Sequence, residues 1–352
     1  MSSYRIASIP GDGIGVDVTI EARKVLDAAS SKFGFSLEWT EFDWSCERYA
    51  QLGSMMPDDG VAQLSAFDGI LLGAVGFPGV PDHVSLWGLL IPLRRAFSQY
   101  VNLRPVRLLP GTTSVLAGRK AEELELVIVR ENSEGEYSAI GGRHNAGRPD
   151  EFVLQESVFT RVGVERIIRY AFELARTRSS RVCSATKSNG LIHSMPFWDE
   201  IFAEVAAEYP DVRSEQMHVD ALAARMVQAP DRLDVIVGSN LFGDILSDLA
   251  AAITGGLGMA PSGNINPSGE SPSMFEAVHG SAPDIAGQGI ANPVAQILAA
   301  AMLVEHLGET VAAQAIRAAV DRVLDEGRVR TPDLGGSDTT ERLGTAVAEA
   351  LG

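Results

Sequence analysis

Cysteine is scarce in this sequence: its 352 residues include two, Cys46 and Cys183, which are far apart and in no C-x-x-C pattern. This scarcity argues against a disulfide scaffold and a cysteine zinc site, and it favours a reducing compartment. The first residues, MSSYRIASIPGDG, lack the apolar run of a secretory signal peptide. Runs of the roughly 18 apolar residues that span a membrane are also missing. We therefore expect a cytoplasmic protein without a membrane partner.

Positive charge is also in short supply, since 29 Lys and Arg residues stand against 46 Asp and Glu residues, a net charge of −17. A surface of this charge repels nucleic acid, so we expect no nucleic-acid partner. An anionic small substrate would need a local basic cluster to overcome the overall field. The length of the chain suits two domains rather than one core.

Apolar runs and helical spacing alternate along much of the chain. Strands are predicted at 4–9, 69–76, 124–132 and 233–240, and helices at 16–33, 162–178 and 197–208. Such alternation predicts an α/β sandwich with much parallel sheet. Ligands of parallel sheets bind at the carboxyl ends of the strands, where this sequence carries unusual polar residues.

Two segments interrupt the alternation. Residues 133–160 contain a turn rich in Gly, Arg, Asn and Pro between two possible strands, which favours a protruding hairpin. A mobile surface loop and an arm that pairs with a second subunit are the alternatives. Residues 255–273, rich in Pro, Gly and Ser, are predicted to cross between domains or to face a ligand.

The glycine-rich stretch IPGDGIG, at residues 9–15, resembles the start of a dinucleotide-binding fingerprint. That fingerprint requires G-x-G-x-x-G, and Val16 occupies the place of its third glycine. The fingerprint also requires an acidic residue about 20 positions later, at the end of a second strand, and this sequence has no clear candidate for it. We therefore favour a tight strand-to-helix turn over a Rossmann site.

A pair of aspartates is the strongest local signal for chemistry. In LFGDILSDLAA, at 241–251, Asp244 and Asp248 lie four residues apart in an apolar helical run. This spacing brings both carboxylates to one helix face, where they repel each other. A bound cation would relieve the repulsion, and oxygen-only ligands favour Mg²⁺ or Mn²⁺ over zinc. The alternative is an acidic pair near a helix amino terminus. Asp220, with a helix cap as its alternative, is a third candidate ligand.

Arginines are concentrated in LRRAFSQYVNLRPVR, at 93–107, which contains Arg94, Arg95, Arg104 and Arg107. Guanidinium groups bind carboxylates through paired hydrogen bonds. Arg130 follows the apolar run 126–129, an unusual position for an idle charge. A solvated helix face would explain some of these arginines, but not Arg104 and Arg130.

Two further segments carry candidate functional groups. Tyr137, in RENSEGEYS, and Lys187, in SATKSNGL, are candidates for proton transfer, although such residues are more often structural. The segment FEAVHGSAPDIAGQGIANP, at 275–293, combines glycines with His279, Asp284 and Asn292. Its backbone N–H groups suit phosphates, and a carboxylate suits a ribose hydroxyl. A structural Ω-loop is the alternative.

Taken together, six motifs in one order resemble the metal-dependent β-decarboxylating dehydrogenases. They are IPGDGIG, NLRPVR, RENSEGEYS, TKSNGL, GDILSDLA and HGSAPDIAGQGIANP. The family includes isocitrate, isopropylmalate, homoisocitrate and tartrate/D-malate dehydrogenases. Within it, the segments around Arg94 and Tyr137 most resemble the tartrate/D-malate branch. The resemblance extends over essentially the whole chain.

The resemblance implies a two-domain, isopropylmalate dehydrogenase-like α/β sandwich with non-Rossmann dinucleotide binding. One domain would comprise residues 1–98 and 256–352. The other, 99–255, would hold substrate, metal and dimer interface, with an arm at about 138–158. The cofactor would be NAD rather than NADP, because Asp284-Ile285 stands where NADP-dependent relatives have lysine and tyrosine. The residues implied for NAD are Asn189, His279, Gly280, Ser281, Ala282, Asp284, Ile285 and Asn292.

The implied reaction is the oxidative decarboxylation of a small (R)-2-hydroxy dicarboxylate, D-malate above all, with tartrate as a further substrate. Arg94, Arg104 and Arg130 would bind the substrate carboxylates. Lys187 would act as the base and Tyr137 as the acid. Asp220, Asp244 and Asp248 would bind Mg²⁺ or Mn²⁺, and K⁺ is a further candidate cation. In the family, the residues matching Lys187 and Asp220 come from the second subunit, which implies a homodimer.

Two alternatives follow from the same resemblance. A 3-isopropylmalate dehydrogenase would run the same chemistry, but such enzymes usually have a glutamate before the first arginine, where this chain has Ser85-Leu86-Trp87-Gly88. The bulky Trp87 would leave little room for an alkyl branch. A non-catalytic regulatory subunit would be expected to lose Lys187, Tyr137 or an aspartate, and all are present. One departure is Ala277, where relatives usually have proline.

Overall fold

The computed structural model describes residues 2–352 apart from the side chain of Glu122. The chain forms two compact units. The first comprises the described residues up to Gln99, Leu103–Glu125 and Ala250–Gly352, and the second comprises Tyr100–Asn102 and Leu126–Leu249. The segment 103–125 therefore belongs to the first unit, whereas the sequence-based boundaries grouped it with the central part of the chain.

Strands and helices alternate through both units. The strands are β1 Ser3–Gly11, β2 Ser36–Glu41, β3 Gly69–Ala74, β4 Val101–Arg107, β5 Glu125–Glu131, β6 Gly141–His144, β7 Phe152–Gln155, β8 Arg181–Thr186, β9 Arg213–His218, β10 Val235–Gly238, β11 Pro261–Ile265 and β12 Ser273–Ala277. The helices are α1 Ile14–Phe33, α2 Cys46–Leu52, α3 Gly60–Leu64, α4 Asp82–Ser85, α5 Ile91–Ala96, α6 Arg161–Arg176, α7 Ser194–Glu208, α8 Val219–Gln228, α9 Asn240–Ile253, α10 Val294–His306, α11 Thr310–Glu326 and α12 Thr340–Ala350. A π-helical turn, Leu86–Leu90, joins α4 to α5.

In the first unit, strands β2, β1, β3, β12 and β11 lie side by side in that order. Parallel pairs join β1 to β2 and β3, and join β3 to β12. Strand β11 runs antiparallel to β12. Helix α10 is buried at every residue from Val294 to Val304. A helix that is apolar all round belongs in a core rather than on a surface.

The second unit is built on strands β5, β10, β8 and β9, which lie in that order and pair in parallel. Helix α6 buries Val164, Ile167, Ile168 and Ala171, the spacing of an amphipathic helix. Its Phe172 ring lies 5.0 Å from the ring of Tyr209. Strands β6 and β7 form a separate antiparallel hairpin whose β7 residues are all exposed.

The predicted α/β architecture with a mostly parallel sheet is confirmed. One local prediction is wrong, because 255–273 is not a simple crossing or ligand-facing loop. It contains a short helical turn and then β11, which is buried along its whole length. Small residues in this strand, such as Gly263 beside the ring of Phe275, allow close packing that the sequence pattern of a loop concealed. None of the helices in residues 2–352 has the length and apolar character needed to cross a membrane.

Candidate active site

The glycine turn between β1 and α1 is closed by protein groups. Gly13 has φ 58°, a left-handed conformation that favours glycine, and its Cα faces the carbonyl of Ser281. At the start of α1, the N–H of Ile14 donates to that carbonyl at 2.8 Å, and the N–H of Gly15 donates to the Asp12 carbonyl at 3.0 Å. These amides are the ones that a phosphate would need at a helix amino terminus. The turn is therefore a structural junction and not a pyrophosphate cradle.

Asp12, in the middle of this turn, has a structural role that its sequence position did not reveal. Its carboxylate is buried and accepts hydrogen bonds from the backbone N–H groups of Cys46, Glu47 and Gly76, at 2.9, 3.1 and 3.0 Å. Cys46 and Glu47 open α2, so the charge lies where the helix dipole favours an anion. Asp12 thus ties the turn to α2 and to the end of β3.

The loop after β12 packs against the same turn. Ile14 and Val18 of α1 form an apolar cluster with Ala291, against which Ala282 and Ile285 also pack. Ala282 has φ 39°, an uncommon backbone conformation for a residue other than glycine. Within this loop, Ser281 and Asn292 are buried whereas Gly280 and Asp284 are exposed. The implied NAD residues of the first unit therefore form one loop with both buried and exposed polar groups.

His279 has a buried nitrogen that fits a bound ligand. Its Nδ1 lies 2.9 Å from the carbonyl of Gly280, while Nε2 is buried and has no hydrogen-bond partner among the described residues. Burial lowers the pKa of His279, which keeps the ring neutral at physiological pH. A buried polar atom without a partner is costly, so a donor or acceptor from a cofactor would be favourable there.

Ala277 makes a contact that proline would forbid. Its buried backbone N–H donates to the side-chain oxygen of Gln296 at 2.9 Å, and Gln296 in turn donates to the carbonyl of Leu72 at 2.7 Å. Proline has no N–H group and would leave the Gln296 oxygen without this donor. The alanine therefore ties the start of the loop predicted to bind NAD to α10 and β3.

The second unit brings three predicted residues, Arg130, Tyr137 and Asp244, into contact. The Asp244 carboxylate accepts a hydrogen bond from the Tyr137 hydroxyl at 2.9 Å and pairs with the guanidinium of Arg130. Arg130 is buried at the end of β5 and also donates to the side-chain oxygen of Asn240, at 2.7 and 3.0 Å. Asp248, one turn further along α9, is exposed. The two acidic residues thus share a helix, as predicted, but lie in different surroundings.

The environment of Tyr137 favours its protonated form. Partial burial raises the pKa of the phenol, and the neighbouring Asp244 carboxylate raises it further. Both effects penalise a phenolate, because it would be poorly solvated and would repel Asp244. Tyr137 therefore keeps its proton at neutral pH and is able to donate it.

Glycine at position 243 permits the approach of α9 to β5. A Cβ atom added to Gly243 would lie 2.6 Å from the Cβ of Arg130 and 3.0 Å from its Cα. Contacts this short would push the helix away from the strand. The glycine that directly precedes Asp244 therefore allows this aspartate to lie within reach of Arg130.

Glu136 was missed by sequence reasoning, although it is the neighbour of Tyr137. Its carboxylate accepts hydrogen bonds from the Ser239 hydroxyl at 2.7 Å and from the Leu241 N–H at 3.1 Å, at the start of α9. Two residues earlier, Glu134 accepts from the N–H of Thr160 at 2.9 Å, just before α6. The sequence did carry a signal for this role, namely the acidic run SEGE directly before the candidate catalytic tyrosine. Carboxylates are favoured at helix amino termini, so this run could have been predicted to contact the start of a helix.

Lys187 and Asp220, both predicted site residues of this unit, form an ion pair. The Lys187 amino group lies 2.7 Å from the Asp220 carboxylate, and the two residues follow the carboxyl ends of the neighbouring strands β8 and β9. Lys187 lowers the pKa of Asp220 below its ordinary value. Asn189, two residues after Lys187, is exposed.

The three carboxylates predicted to bind metal do not form one cluster within this chain. Among the described residues, no group of three or more His, Cys, Asp or Glu side chains is placed to hold a metal ion. Asp244 and Asp248 nevertheless present hard oxygen donors one helical turn apart, which fits Mg²⁺ or Mn²⁺ and not a thiophilic metal.

The two predicted substrate arginines of the first unit, Arg94 and Arg104, lie in buried positions. Arg94, on α5, is buried and pairs with Glu276 of β12 at 3.3 Å. Arg104, on β4, is also buried. Glu276, which sequence reasoning did not single out, also accepts from the Asn264 amide at 2.7 Å. Arg95 is exposed on the other side of α5 and lies over the Trp87 ring at 5.4 Å.

These features define an α/β protein in which Tyr137 and Arg130 contact an aspartate of α9, and comparison with known proteins identifies its family. The model of the isocitrate/isopropylmalate dehydrogenase family matches residues 5–347. The chain belongs to this family. A crystal structure of isocitrate dehydrogenase from Methylococcus capsulatus superimposes with a TM-score of 0.90 at 38% identity, covering 99% of both chains.

More similar relatives carry narrower names. The D-malate dehydrogenase [decarboxylating] of Escherichia coli (strain K12) is 53% identical, over 100% of this chain and 99% of that protein. The tartrate dehydrogenase/decarboxylase of Pseudomonas putida is 52% identical, over 99% and 98%. The chain is therefore an enzyme, an oxidoreductase of the decarboxylating dehydrogenase class. Enzymes of this family use a nicotinamide dinucleotide and a divalent metal ion, as predicted.

Proposed function

We propose that this enzyme oxidises D-malate and decarboxylates the product to pyruvate and CO₂, and that it also acts on tartrate. The observation that carries the proposal is the Tyr137–Asp244–Arg130 contact, which joins a protonated acid, a carboxylate and a carboxylate-binding group. The names of the relatives at 53% and 52% identity support the substrate class. The absence of the glutamate before Arg94 argues against 3-isopropylmalate.

The substrate carboxylates would be held by Arg94, Arg104 and Arg130. All three are buried, and a desolvated guanidinium binds a carboxylate more strongly than an exposed one does. Glu276 fixes Arg94 from one side, and Asn240 fixes Arg130. These partners restrict the guanidinium orientations and so favour one pose of a small dicarboxylate.

Lys187 would take the proton of the C2 hydroxyl group during oxidation. Its amino group is held by Asp220 at 2.7 Å, which orients it. As the bond between C3 and the lost carboxyl group breaks, the Tyr137 hydroxyl would deliver its proton to C3. The raised pKa of Tyr137 keeps that proton available at neutral pH.

When bound, NAD would supply the hydride acceptor, and Mg²⁺ or Mn²⁺ would supply a Lewis acid for the substrate oxygen at C2. Asp220, Asp244 and Asp248 would hold the metal, and K⁺ remains a further candidate. The loop His279–Ser281, with Ala282, Asp284, Ile285 and Asn292, would hold NAD together with Asn189 of the second unit. Asp284 is exposed and negatively charged, so it would accept from a ribose 2′-hydroxyl and repel a 2′-phosphate.

A homodimer would complete this site. Within one chain the Lys187–Asp220 pair and the Asp244–Asp248 pair do not form a single metal cluster. The hairpin of β6 and β7 exposes Phe152, Val153 and Leu154, and Val153 is 65% exposed. A two-stranded hairpin with exposed apolar side chains is rarely stable alone. Pairing of two such arms would bury these side chains. The family resemblance implies that Asp220 of one subunit would then serve the metal site of the other.

The test is the rate of NADH formation with Mn²⁺ and K⁺ on D-malate, L-tartrate, meso-tartrate, 3-isopropylmalate and isocitrate. We expect the highest kcat/KM on D-malate, with activity on tartrate. A preference for 3-isopropylmalate would overturn the substrate assignment and leave the family intact. Trp87→Ala serves as the specificity variant, because it should improve the relative use of 3-isopropylmalate if Trp87 limits the space beside C3.

A further inference from the structure

A cavity of about 370 Å³ lies in the second unit, at the amino ends of β8 and β9. Arg181 and Arg213 are the first residues of these two strands and stand opposite each other in the parallel pairing. Arg225 and Arg232 also line the cavity, together with Glu215 and Asp234. Lys187 and Asp220 follow the carboxyl ends of the same strands, roughly 20 Å away for a six-residue strand. The cavity is therefore separate from the proposed active site.

The two acidic residues of the cavity are already neutralised. The Glu215 carboxylate accepts two hydrogen bonds from Arg225, each 3.0 Å long. The Asp234 carboxylate pairs with Arg178 at 2.7 Å and accepts the Ser179 N–H at 2.9 Å. Neither carboxylate is therefore available to neutralise the positive charge of the other arginines that line the cavity.

Three guanidinium groups of the cavity lack a carboxylate partner. Arg181 donates to neutral oxygens, namely the Ser179 hydroxyl at 3.2 Å and two backbone carbonyls at 3.4 Å. The side chains of Arg213 and Arg232 have no hydrogen bond or ion pair to any residue in the described part of the chain. Like charges placed opposite each other on neighbouring strands destabilise a sheet. A chain with a net charge of −17 nevertheless places three such cations around one cavity.

We propose that this cavity, the arginine pocket, binds a small polyanion that carries phosphate or carboxylate groups. Guanidinium forks form paired hydrogen bonds with both groups, and three of them around one cavity match an anion with at least two charges. The volume lies at the lower end of the range for small-molecule sites, which suits a metabolite and excludes a macromolecule.

The test is isothermal titration of the full-length enzyme with pyrophosphate and with citrate, in low-salt buffer containing EDTA. We expect one bound anion per chain, with a Kd of about 1 mM or tighter. Arg213→Gln with Arg232→Gln should weaken this binding at least tenfold. The matched control is Arg169→Gln with Arg176→Gln, which removes two charges from the exposed face of α6, outside the pocket. This control should bind the anion as wild type does.

The two probes distinguish the ligand classes. Tighter binding of pyrophosphate would indicate a phosphorylated ligand, and tighter binding of citrate would indicate a polycarboxylate.

Three results would overturn the proposal. The first is equal binding of the anion by wild type and by the Arg213/Arg232 variant. The second is absence of binding to wild type at an anion concentration 20-fold above the expected Kd. The third is displacement of the anion by D-malate, which would locate the anion in the active site. Turnover of D-malate by the Arg213/Arg232 variant should match wild type, because neither residue belongs to the proposed machinery. If that variant does not fold, Arg232→Gln alone provides the test, since Arg232 is exposed and ends a short 3₁₀ turn outside the sheet. The proposal stands apart from the substrate assignment, because the titration needs no turnover.

Discussion

The hydroxyl of Tyr137 donates to the carboxylate of Asp244 at 2.9 Å, and the same carboxylate pairs with Arg130. This contact joins the segment after β5 to the middle of α9. It raises the pKa of the phenol and fixes its direction.

Tyr137→Phe should remove the proton donor and reduce pyruvate formation by about 10²- to 10⁴-fold, the usual contribution of one acid or base. Because burial and Asp244 raise the pKa of Tyr137 above 10, the protonated form persists throughout the neutral range, and its loss should limit the wild-type rate only in strong alkali. The kcat profile between pH 6 and 11 checks this. An alkaline limb below pH 9 that disappears in Tyr137→Phe would contradict the direction of the shift.

Lys187→Met should reduce turnover by about 10²- to 10⁴-fold, because the C2 hydroxyl loses its base. NAD binding should change little, and fluorescence titration with NADH measures it. Lys24→Met, which removes a lysine paired with Glu21 in the first unit, is the control for a general charge effect. Turnover near the wild-type rate would remove Lys187 from the mechanism.

Glu136→Gln should lower kcat about tenfold or more with little change in KM, because Glu136 positions α9 and, through it, Asp244 beside Tyr137. The alkaline limb assigned to Tyr137 should also move, which a purely structural loss would not cause. Glu134→Gln is the matched comparison, since Glu134 supports the start of α6 instead. Equal effects of the two variants on the pH profile would refute a specific role for Glu136.

Asp284→Lys with Ile285→Tyr should raise the relative use of NADP. The exposed carboxylate that would repel a 2′-phosphate is replaced by a cation that attracts it. The ratio of kcat/KM for NADP to that for NAD is the measurement. Glu349→Lys, at an exposed position of α12, controls for a nonspecific gain of positive charge. An unchanged ratio in the double variant would count against these positions.

Asp244→Asn should raise the Mn²⁺ concentration required for half-maximal activity by at least tenfold, because an amide oxygen is a weaker ligand than a carboxylate. The amide oxygen still accepts from Tyr137, so the fold around it should persist, and the melting temperature reports on that. Asp231→Asn, an exposed aspartate of the same unit, is the control. Unchanged metal dependence would refute Asp244 as a ligand.

Several features of the site followed from local sequence patterns. The i, i+4 spacing of Asp244 and Asp248 places both on α9, and the β-branched run before Arg130 forms β5, which presents that arginine at its carboxyl end. These predictions succeed because helical and strand periodicity depend on near neighbours in the chain. The six motifs, taken in order, indicated the family for the same reason, since each is a short contiguous stretch.

Other features depend on contacts between residues far apart in sequence. Position 13 has to be glycine because a side chain there would collide with Ser281, and position 243 because a side chain would collide with Arg130. The Asp12 carboxylate is needed because it accepts hydrogen bonds from the start of α2 and from the residues after β3. The segment 261–265 has the composition of a loop, yet it is a buried strand because its small residues fit against β12. No local pattern encodes such neighbours, so sequence reasoning could not find them.

Residue identity and short-range spacing were sufficient to predict the class of the fold, the family and the chemical types of the proposed catalytic groups. The contacts between these groups depend on long-range packing and became visible in the folded chain. This packing paired Tyr137 with Asp244 and Lys187 with Asp220, and it gave Glu136 a supporting role. It also assembled the arginine pocket from the starts of two strands and their flanking segments. Burial and charge pairing arise from packing across the whole chain, and they decide what each side chain is able to do.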